Sequence, residues 1–287
     1  MRAFVVDAFT TAIFGGNQAG VVLLDQGAPF PEEGLMQAVA GELKHSETAY
    51  VRPLGGNRFH IRYFTPAGEV DLCGHATIAS FSLLRQLGQI GEGTFTLLTA
   101  AGEQEVRVEG EAVYLTISPV SVVRELTPEQ GAELLAAYGL RPEQGWPGLA
   151  PALVNSGLTD IMLPVRDHSV LMAAVQDEGA VTDLSRRYDV VGVHMFCPGQ
   201  GDVAAYCSNF APLWAIPEEC ATGTANAGLT RYLTERGVFP EGRVNRILQG
   251  EHMGRCSEIR TLARPGAPGV EVGGHAVISM EVLLRLP

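Results

Sequence analysis

The sequence is poor in lysine and in positive charge. Lys44 is the only lysine among the 20 Lys and Arg residues, so a Schiff-base or pyridoxal-phosphate enzyme would depend on that one side chain. The 32 Asp and Glu residues leave a formal net charge of -12. Phosphate backbones and anionic lipids repel such a charge, so we expect neither nucleic acid nor a membrane surface as a partner.

Cysteines and long apolar runs are also scarce. The five cysteines are an odd number and include no C-x-x-C pair, which argues against a disulfide framework. No run of about 18 apolar residues is present, as a membrane span would need, and Asp7 interrupts the apolar N-terminal stretch. We therefore expect a cytoplasmic protein without a signal peptide or a membrane span.

Sequence motifs for metals and nucleotides are missing as well. Cys197 follows His194 by three residues, but no second pair of ligands accompanies them. The glycine-containing segments at 15–17 and 221–224 lack the glycine and lysine spacing that cradles phosphates. The sequence therefore predicts no bound metal and no cofactor.

The length and composition are sufficient for two folded domains. The 287 residues are 46% hydrophobic, and a domain averages about 150 residues. Residue patterns indicate strands at 2–9 and 58–64, a helix at 32–43, and a hairpin over 103–117 that turns at Gly110.

The second half of the chain repeats the pattern of the first. Segment 61–84 matches segment 206–233: each carries a strand ending in Phe-x-Pro, an acidic residue, and a Cys followed by small residues. Each segment then opens a helix with almost no polar face, predicted at about 75–88 and 222–235, and such a helix is normally buried. The repeat indicates two duplicated domains.

Small residues at these two helix starts leave room for an anion. Unpaired backbone N–H groups at a helix N-terminus attract a carboxylate. Two such ends meeting at a domain interface would bind a carboxylate with acid and base groups on opposite sides. That geometry suits the transfer of a proton on the neighbouring carbon. The alternative is that the small residues only permit a close turn between strand and helix.

Six segments together resemble one enzyme family. From residue 5 onward they follow the family's order: VVDAFT (5–10), GNQAGVV (16–22), HSETAY (45–50), EVDLCGHAT (69–77), ATGTANAGL (221–229) and QGEHMGRCS (249–257). In these segments the chain is similar to the phenazine-biosynthesis PhzF-like isomerases, whose fold resembles that of diaminopimelate epimerases and proline racemases. The resemblance implies an α+β fold of two similar domains, each a mostly antiparallel sheet curled around a central buried helix.

The predicted domains meet where strands give way to a helical pattern, near 119–127. The first domain covers 1–118, with the C-terminal strand 276–287 added to it. The second covers 119–275. Their interface is the predicted place of the active site.

The resemblance also assigns positions in both halves to catalysis or substrate binding. The family's acid/base glutamate falls on Glu47. In the second half, Glu219, Cys220 and Thr224 stand where the family has Asp, Pro and Ser. The implied catalytic residues are Glu47, Cys73, His75, Glu219 and Cys220. The implied substrate-binding residues are Asn17, Gly74, Gly223 and Thr224.

Cys220 supports a second interpretation. Diaminopimelate epimerases carry one thiol in each half, and Cys73 and Cys220 fill both positions in this alignment. A two-thiol amino-acid epimerase or racemase therefore stays open, as does a non-catalytic metabolite-binding protein on the same scaffold. The remaining cysteines are expected to be small buried hydrophobes: Cys197, Cys207 and Cys256.

The main prediction is a cofactor-independent isomerase or epimerase that moves a proton on a small carboxylate-bearing substrate. Burial is expected to raise the pKa of the Glu47 carboxyl from about 4.3 toward neutral pH, where the group can act as both acid and base. The family resemblance further implies a homodimer.

Overall fold

The computed structural model describes residues 1–285, which form two compact units. Unit 1 comprises Met1–Thr116 and the chain from Gly273, and unit 2 comprises Ile117–Val272. The predicted strand 276–287 includes residues 286 and 287, which lie outside the described residues. No helix in the described chain is both long enough and apolar enough to span a membrane.

Strands outnumber helices along the described chain. The strands are β1 (Arg2–Ala8), β2 (Asn17–Leu23), β3 (Thr48–Gly55), β4 (Arg58–Phe64), β5 (Glu69–Val70), β6 (Gly93–Thr99), β7 (Gly102–Glu109), β8 (Ala112–Ile117), β9 (Ser121–Glu125), β10 (Ala152–Asn155), β11 (Thr159–Pro164), β12 (Gly192–Pro198), β13 (Ala205–Ala211), β14 (Ile216–Glu219), β15 (Asn245–Gln249), β16 (Ser257–Ala263), β17 (Val270–Gly274) and β18 (Ala276–Leu283). The α-helices are α1 (Glu33–Leu43), α2 (Gly74–Gln86), α3 (Pro128–Ala136), α4 (His168–Ala173), α5 (Glu178–Tyr188) and α6 (Gly223–Glu235). Short 3₁₀ turns cover Pro142–Gln144 and Pro212–Trp214.

The sheet of unit 1 is mixed, with antiparallel pairs in the majority. β1 pairs with β18 and β2, β3 with β4, β4 with β5, β6 with β7, and β7 with β8, all antiparallel. The pairs β2–β3 and β4–β6 are parallel. A helix connects each parallel pair, α1 in the first case and α2 in the second, because parallel neighbours need a crossover.

Unit 2 has the same strand order. β10 pairs with β11, β12 with β13, β13 with β14, and β15 with β16 in antiparallel fashion. The pairs β11–β12 and β13–β15 are parallel, as their counterparts are in unit 1. The internal repeat read from the sequence is thus confirmed at the level of strand pairing.

The central helix of each unit is buried, as its sequence indicates. Every residue of α2 from His75 to Leu84 is buried, and the helix contacts β1, β2, β3 and β18. In α6 the residues from Ala225 to Thr230 are buried, and that helix contacts β9, β10, β11 and β16. These helices confirm the two segments predicted from their lack of a polar face.

Aromatic rings attach α2 to the sheet of unit 1. The ring of Phe81 lies 5.3 Å from that of Phe59 and 5.8 Å from that of Phe95, and all three side chains are buried. Truncating a buried ring of this kind to alanine typically costs about 3–5 kcal/mol. The position of α2 is therefore strongly determined by packing.

The turn before β2 contains a glycine that lies very close to the backbone of β1. Gly16 has φ +57°, and a Cβ there would lie 2.1 Å from the Ala8 carbonyl oxygen. We expect Gly16→Ala to lower the free energy of unfolding, measured in urea, by more than about 2 kcal/mol. The strain of a left-handed backbone at alanine and the steric clash with the Ala8 carbonyl oxygen both contribute to this loss. Gly27 has φ +78° but open space around it, so Gly27→Ala should cost only about 1 kcal/mol. Equal losses of unfolding free energy in the two variants would contradict the predicted clash at residue 16.

Candidate functional site

Glu47 directly precedes β3, and its backbone is tied to the neighbouring strand. The Gly20 amide donates to the Glu47 carbonyl oxygen at 3.0 Å, next to the parallel pair of Gly20 and Thr48. A Cβ on Gly20 would lie 2.7 Å from the Thr48 hydroxyl oxygen, so glycine permits this approach. Asn17 begins the same strand as Gly20 and is buried. Two predicted site residues, Asn17 and Glu47, thus belong to adjacent strand ends.

The N-terminus of α2 brings a thiol and an imidazole to Glu47. Cys73 is the N-cap of the helix and His75 is its second residue. Cys73 Sγ lies 3.4 Å from Nδ1 of His75. The other ring nitrogen, Nε2, lies 3.2 Å from Glu47 Oε2 and 3.3 Å from Ser46 Oγ. The thiol, the imidazole and the carboxylate form one compact cluster, in which a sulfur, a ring nitrogen and a carboxylate oxygen lie within 4.8 Å of one another. Gly74 is the first residue of the helix beside this cluster.

His75 holds Glu47 in its ionised form. Burial opposes the charge on Glu47, but His75, Ser46 and Cys73 outweigh burial, and the pKa of Glu47 lies below its ordinary value of 4.5. For His75, burial is outweighed by Cys73 and Glu47, which raise its pKa well above 6.5. The expectation that the pKa of Glu47 is raised toward neutral pH is therefore wrong. At neutral pH this is a carboxylate beside an imidazolium.

The thiol of Cys73 has a raised pKa, and the backbone of this residue is fixed. Burial raises the pKa of its thiol, the charge of Glu47 adds to this effect, and His75 opposes it. The Thr77 hydroxyl donates to the Cys73 carbonyl oxygen at 2.7 Å, so the Tyr63 hydroxyl is the donor in its 2.6 Å bond to Thr77. This buried chain of hydrogen bonds fixes the peptide from which α2 starts.

In unit 2, the start of α6 carries a carboxylate within an amide network. Thr222 is the N-cap, and its hydroxyl donates to Glu219 Oε2 at 2.5 Å. Gln249 on β15 accepts from the Thr222 amide at 3.2 Å and from the Asn226 side chain at 2.7 Å. Its own Nε2 donates to the Glu219 carbonyl oxygen at 2.8 Å. Gln249 thereby connects the strand that carries Glu219 to the first turn of the helix.

Cys220 does not occupy the position that corresponds to Cys73. In unit 1, the short strand before the helix is paired at Val70, three residues ahead of the N-cap Cys73. In unit 2, the equivalent strand is paired at Glu219, three residues ahead of the N-cap Thr222. Thr222 therefore matches Cys73, and Cys220 comes two residues too early. The predicted equivalence of the two thiols is wrong, because alignment on the cysteines misplaces the helix start.

The other predicted positions of the second half lie at the helix start. Gly223 and Thr224 are the first two residues of α6, so they match Gly74 and His75 of unit 1. In both helices the N-cap carbonyl accepts a bond from a side chain four residues on, from Thr77 in unit 1 and from Asn226 in unit 2. The two helix starts are therefore built alike.

Comparisons with known proteins identify the family of the chain. A family model described as phenazine biosynthesis-like protein matches residues 6–282. The chain belongs to this family. A Deinococcus radiodurans relative, named an uncharacterized isomerase, is 36% identical and covers 96% of this chain and 92% of its own length. Like its relatives of that name, this phenazine biosynthesis-like protein is an isomerase.

Solved structures confirm the predicted α+β fold. A PhzF-family protein from Bacillus anthracis matches with a TM-score of 0.85 at 22% identity, over 100% of this chain and 99% of its own. A probable proline racemase from Agrobacterium radiobacter matches with a TM-score of 0.59 at 14% identity, over 100% of this chain and 93% of its own. The phenazine biosynthesis-like chain thus shares its fold with both groups.

One buried carboxyl was not among the predicted site residues. Asp160 on β11 is 3% exposed, and burial together with the charge of Glu219 raises its pKa to about 7. The signal in the sequence was a single acidic residue directly before the apolar run IMLP of this strand. A carboxyl that gains or loses a proton near neutral pH is a further candidate for the site of this family member.

His194 and Cys197 do not share one environment. Their side chains point to opposite faces of β12, because residues three apart on a strand alternate. His194 Nδ1 lies 3.0 Å from Asn209 Oδ1, and burial lowers its pKa to about 4, so the ring is neutral. Cys197 belongs to the apolar core of unit 2.

The raised pKa of Asp160 makes stability depend on pH. Between its ordinary 3.8 and about 7, the folded chain holds a proton that the unfolded chain has lost, so stability falls as pH rises. We expect Asp160→Asn to raise the melting temperature at pH 8 and to leave it nearly unchanged at pH 4. The corresponding gain in the free energy of unfolding at pH 8 is at most roughly 4 kcal/mol.

Asp183→Asn is the matched control for this pH dependence, because Asp183 is largely exposed on α5. It should shift the melting temperature little at either pH. A loss of stability at pH 8 in Asp160→Asn would contradict the assigned protonation.

Proposed function

We propose that the protein is a cofactor-independent isomerase or epimerase that moves a carbon-bound proton on a small carboxylate-bearing substrate, with Glu47 as the acid/base. The observation that carries the proposal is the contact of 3.2 Å between Glu47 and His75 at the N-terminus of a buried helix. It supplies a carboxylate base, a cation and unpaired helix amides in one place.

The proposed reaction begins with the substrate carboxylate at the start of α2. The amides of Gly74 and His75 and the imidazolium of His75 attract it, because all present positive charge. As the substrate approaches the imidazolium, it competes with Glu47 for that contact. Glu47 then loses part of the interaction that holds its pKa down and becomes a stronger base when substrate is bound.

Proton transfer follows from this placement. The C–H bond next to the substrate carboxylate breaks, the proton goes to Glu47, and the electron pair moves into the substrate's π system. Protonated Glu47 then returns a proton either to a second carbon, which completes an isomerisation, or to the same carbon, which exchanges its hydrogen with solvent. Both outcomes conserve atoms and electrons and need no redox partner.

We propose that the start of α6 in unit 2 also binds a carboxylate. The support is the internal repeat: Glu219 sits ahead of a helix start built like that of α2, and Gly223 and Thr224 supply the first amides. Glu219 then provides a carboxylate within unit 2, and Gln249 positions it.

Several other predicted properties accompany this function as proposals. The protein is expected to be cytoplasmic, homodimeric and active without metal or cofactor. The two-thiol epimerase loses its structural support, since Thr222 and not Cys220 matches Cys73. A hydroxyl at that position cannot replace a thiol base.

A deuterium-exchange screen can identify the substrate class directly. Carboxylates and amino acids are incubated with the protein in heavy water, and deuterium uptake is followed by NMR. A proton signal that disappears identifies the substrate and the reacting carbon together. A related group of carboxylates should exchange, and exchange restricted to substrates without a carboxylate would contradict the proposal.

Glu47→Gln is the direct test of the acid/base. Glutamine keeps the size and hydrogen-bonding reach but accepts no proton, so the exchange rate should fall about a hundred- to ten-thousandfold with the fold intact. Glu42→Gln, on the exposed face of α1, is the control and should match the wild type. Turnover of Glu47→Gln near the wild-type rate would exclude Glu47 as the base.

Cys220→Ser separates the two enzyme mechanisms. If Glu47 is the base, the exchange rate should stay within about threefold of the wild type, because Cys220 lies outside the helix start. Cys207→Ser, another buried thiol of unit 2, controls for the effect of burying a hydroxyl. A loss of more than about a hundredfold confined to Cys220→Ser, with the fold preserved, would restore the two-thiol mechanism.

A further inference from the structure

Asp160 is a buried carboxyl on the side of the sheet that faces α6. Asp160 and Met162 point to the same face of β11, because alternate residues of a strand share a face. A Cβ on Gly228 of α6 would lie 3.0 Å from Met162 Cε and 3.3 Å from Val154 Cγ1. Val154 is the direct partner of Asp160 on β10. Because Thr224 lies one helical turn before Gly228 on the same face of α6, Asp160 faces the start of that helix.

The strand position beside Asp160 carries no side chain. Asp160 pairs with Gly192 in the parallel pair β11–β12. Gly192 and Glu47 each precede the residue that pairs with the phenylalanine of a Phe-x-Pro segment, so the two positions correspond. The backbone of Phe210 leaves no room for a Cβ on Gly192. Asp160 thus brings to α6, from the next strand, a carboxyl that Gly192 cannot carry.

The carboxyl of Asp160 has unused hydrogen-bonding capacity. The residue is 3% exposed, and no residue that the structure describes forms a hydrogen bond with its side chain. Buried polar groups are normally hydrogen-bonded, so a carboxyl in this state lacks a partner. Its position at a helix start indicates that the missing partner is a ligand of that helix start.

The charges around Asp160 favour its protonated form. Glu219, whose Oε2 accepts the Thr222 hydroxyl at 2.5 Å, carries the charge that acts on Asp160. Burial and this charge together raise the pKa of Asp160 to about 7. On β12 the titratable side chain of this face is His194, which is neutral because burial lowers its pKa to about 4. β10 and the first turn of α6 contribute no titratable side chain.

We propose that protonated Asp160 donates a hydrogen bond to a carboxylate ligand at the start of α6. This inference rests on the proposed function, which places a carboxylate at the amides of Gly223 and Thr224. The O–H group of a neutral carboxyl forms a short, strong hydrogen bond to a charged acceptor. Ionised Asp160 would add a second negative charge beside Glu219 and would repel the ligand. The carboxylate therefore binds only while Asp160 holds its proton.

The two helix starts then use their carboxyls in opposite ways. At α2 the imidazolium of His75 keeps Glu47 ionised, so that carboxyl can accept a proton. At α6, Thr224 stands at the position of His75 and supplies no cation, so Asp160 keeps its proton. The carboxyl that faces the helix is an acceptor in unit 1 and a donor in unit 2.

The test uses the full chain labelled with ¹⁵N and ¹³C, with sodium acetate as the probe. The amide shifts of Gly223 and Thr224 give the Kd for acetate, which should rise at least about tenfold from about pH 5.5 to about pH 8.5, because only protonated Asp160 binds. The ¹³C resonance of the Asp160 carboxyl should titrate near pH 7. Acetate should move that titration to higher pH, since the ligand stabilises the protonated form.

Two variants separate the proton of Asp160 from the rest of the side chain. Asp160→Asn keeps a donor and cannot ionise, so its Kd for acetate should stay within about twofold of the wild-type value at the lower pH, at both pH values. Asp160→Leu has no donor and should bind acetate about tenfold more weakly than the wild type does at the lower pH. Asp183→Asn, on α5, is the control and should reproduce the wild-type pH dependence.

The outcomes distinguish this role of Asp160 from the proposed function, because acetate binding involves no turnover. Equal Kd values at the two pH values, or the wild-type pH dependence in Asp160→Asn, would overturn the role of Asp160 and leave a carboxylate site at α6 standing. If the amides of Gly223 and Thr224 respond to acetate at neither pH, both the donor and the proposed site at α6 are wrong. Full deuterium exchange in Glu47→Gln would instead contradict the acid/base of unit 1 and leave the role of Asp160 unaffected.

Discussion

A helix without a polar face has to be covered on all sides, and this requirement places the chemistry of unit 1. α2 contacts β1, β2, β3 and β18, and the ring of its Phe81 packs against Phe59 of β4 and Phe95 of β6. Because β3 is one of those strands, the residue that precedes it, Glu47, meets the first turn of the helix. The hydrophobic effect thus determines where a carboxylate, an imidazole and a thiol come together.

Two buried carboxyls show that burial alone does not set a pKa. Asp160 lies near the like charge of Glu219, so both effects raise its pKa, to about 7. Glu47 is also mostly buried, but the imidazolium of His75 reverses the outcome. A carboxylate held by a cation is a weak base until something competes for that cation. Under the proposed function an anionic substrate would compete for His75, which would link substrate binding to the strength of the base.

The two units share a strand order but carry their acidic residues at different positions. In unit 1, Thr48 pairs with Phe64, the phenylalanine of the first Phe-x-Pro segment. In unit 2, Val193 pairs with Phe210, the phenylalanine of the second such segment, so Val193 corresponds to Thr48. Gly192 therefore stands where unit 1 has Glu47. A Cβ there would lie 2.0 Å from the Phe210 carbonyl oxygen, so no carboxylate fits. Unit 2 places its acidic group on Glu219 instead, ahead of the helix.

Local patterns in the sequence determined the elements of the fold, the repeat, and the family motifs that contain Glu47, Cys73 and His75. Burial of α2 and α6 followed from their composition, because a helix that is apolar on every face is normally buried. The tertiary structure decided what depends on register and neighbours. It replaced Cys220 by Thr222 at the second helix start, reversed the expected pKa of Glu47, gave Asp160 a raised pKa beside Glu219, and placed Gln249 in the network at the start of α6. These outcomes depend on strand pairing and on charges brought together from distant positions in the chain. No local sequence pattern encodes the pairing or the charge contacts.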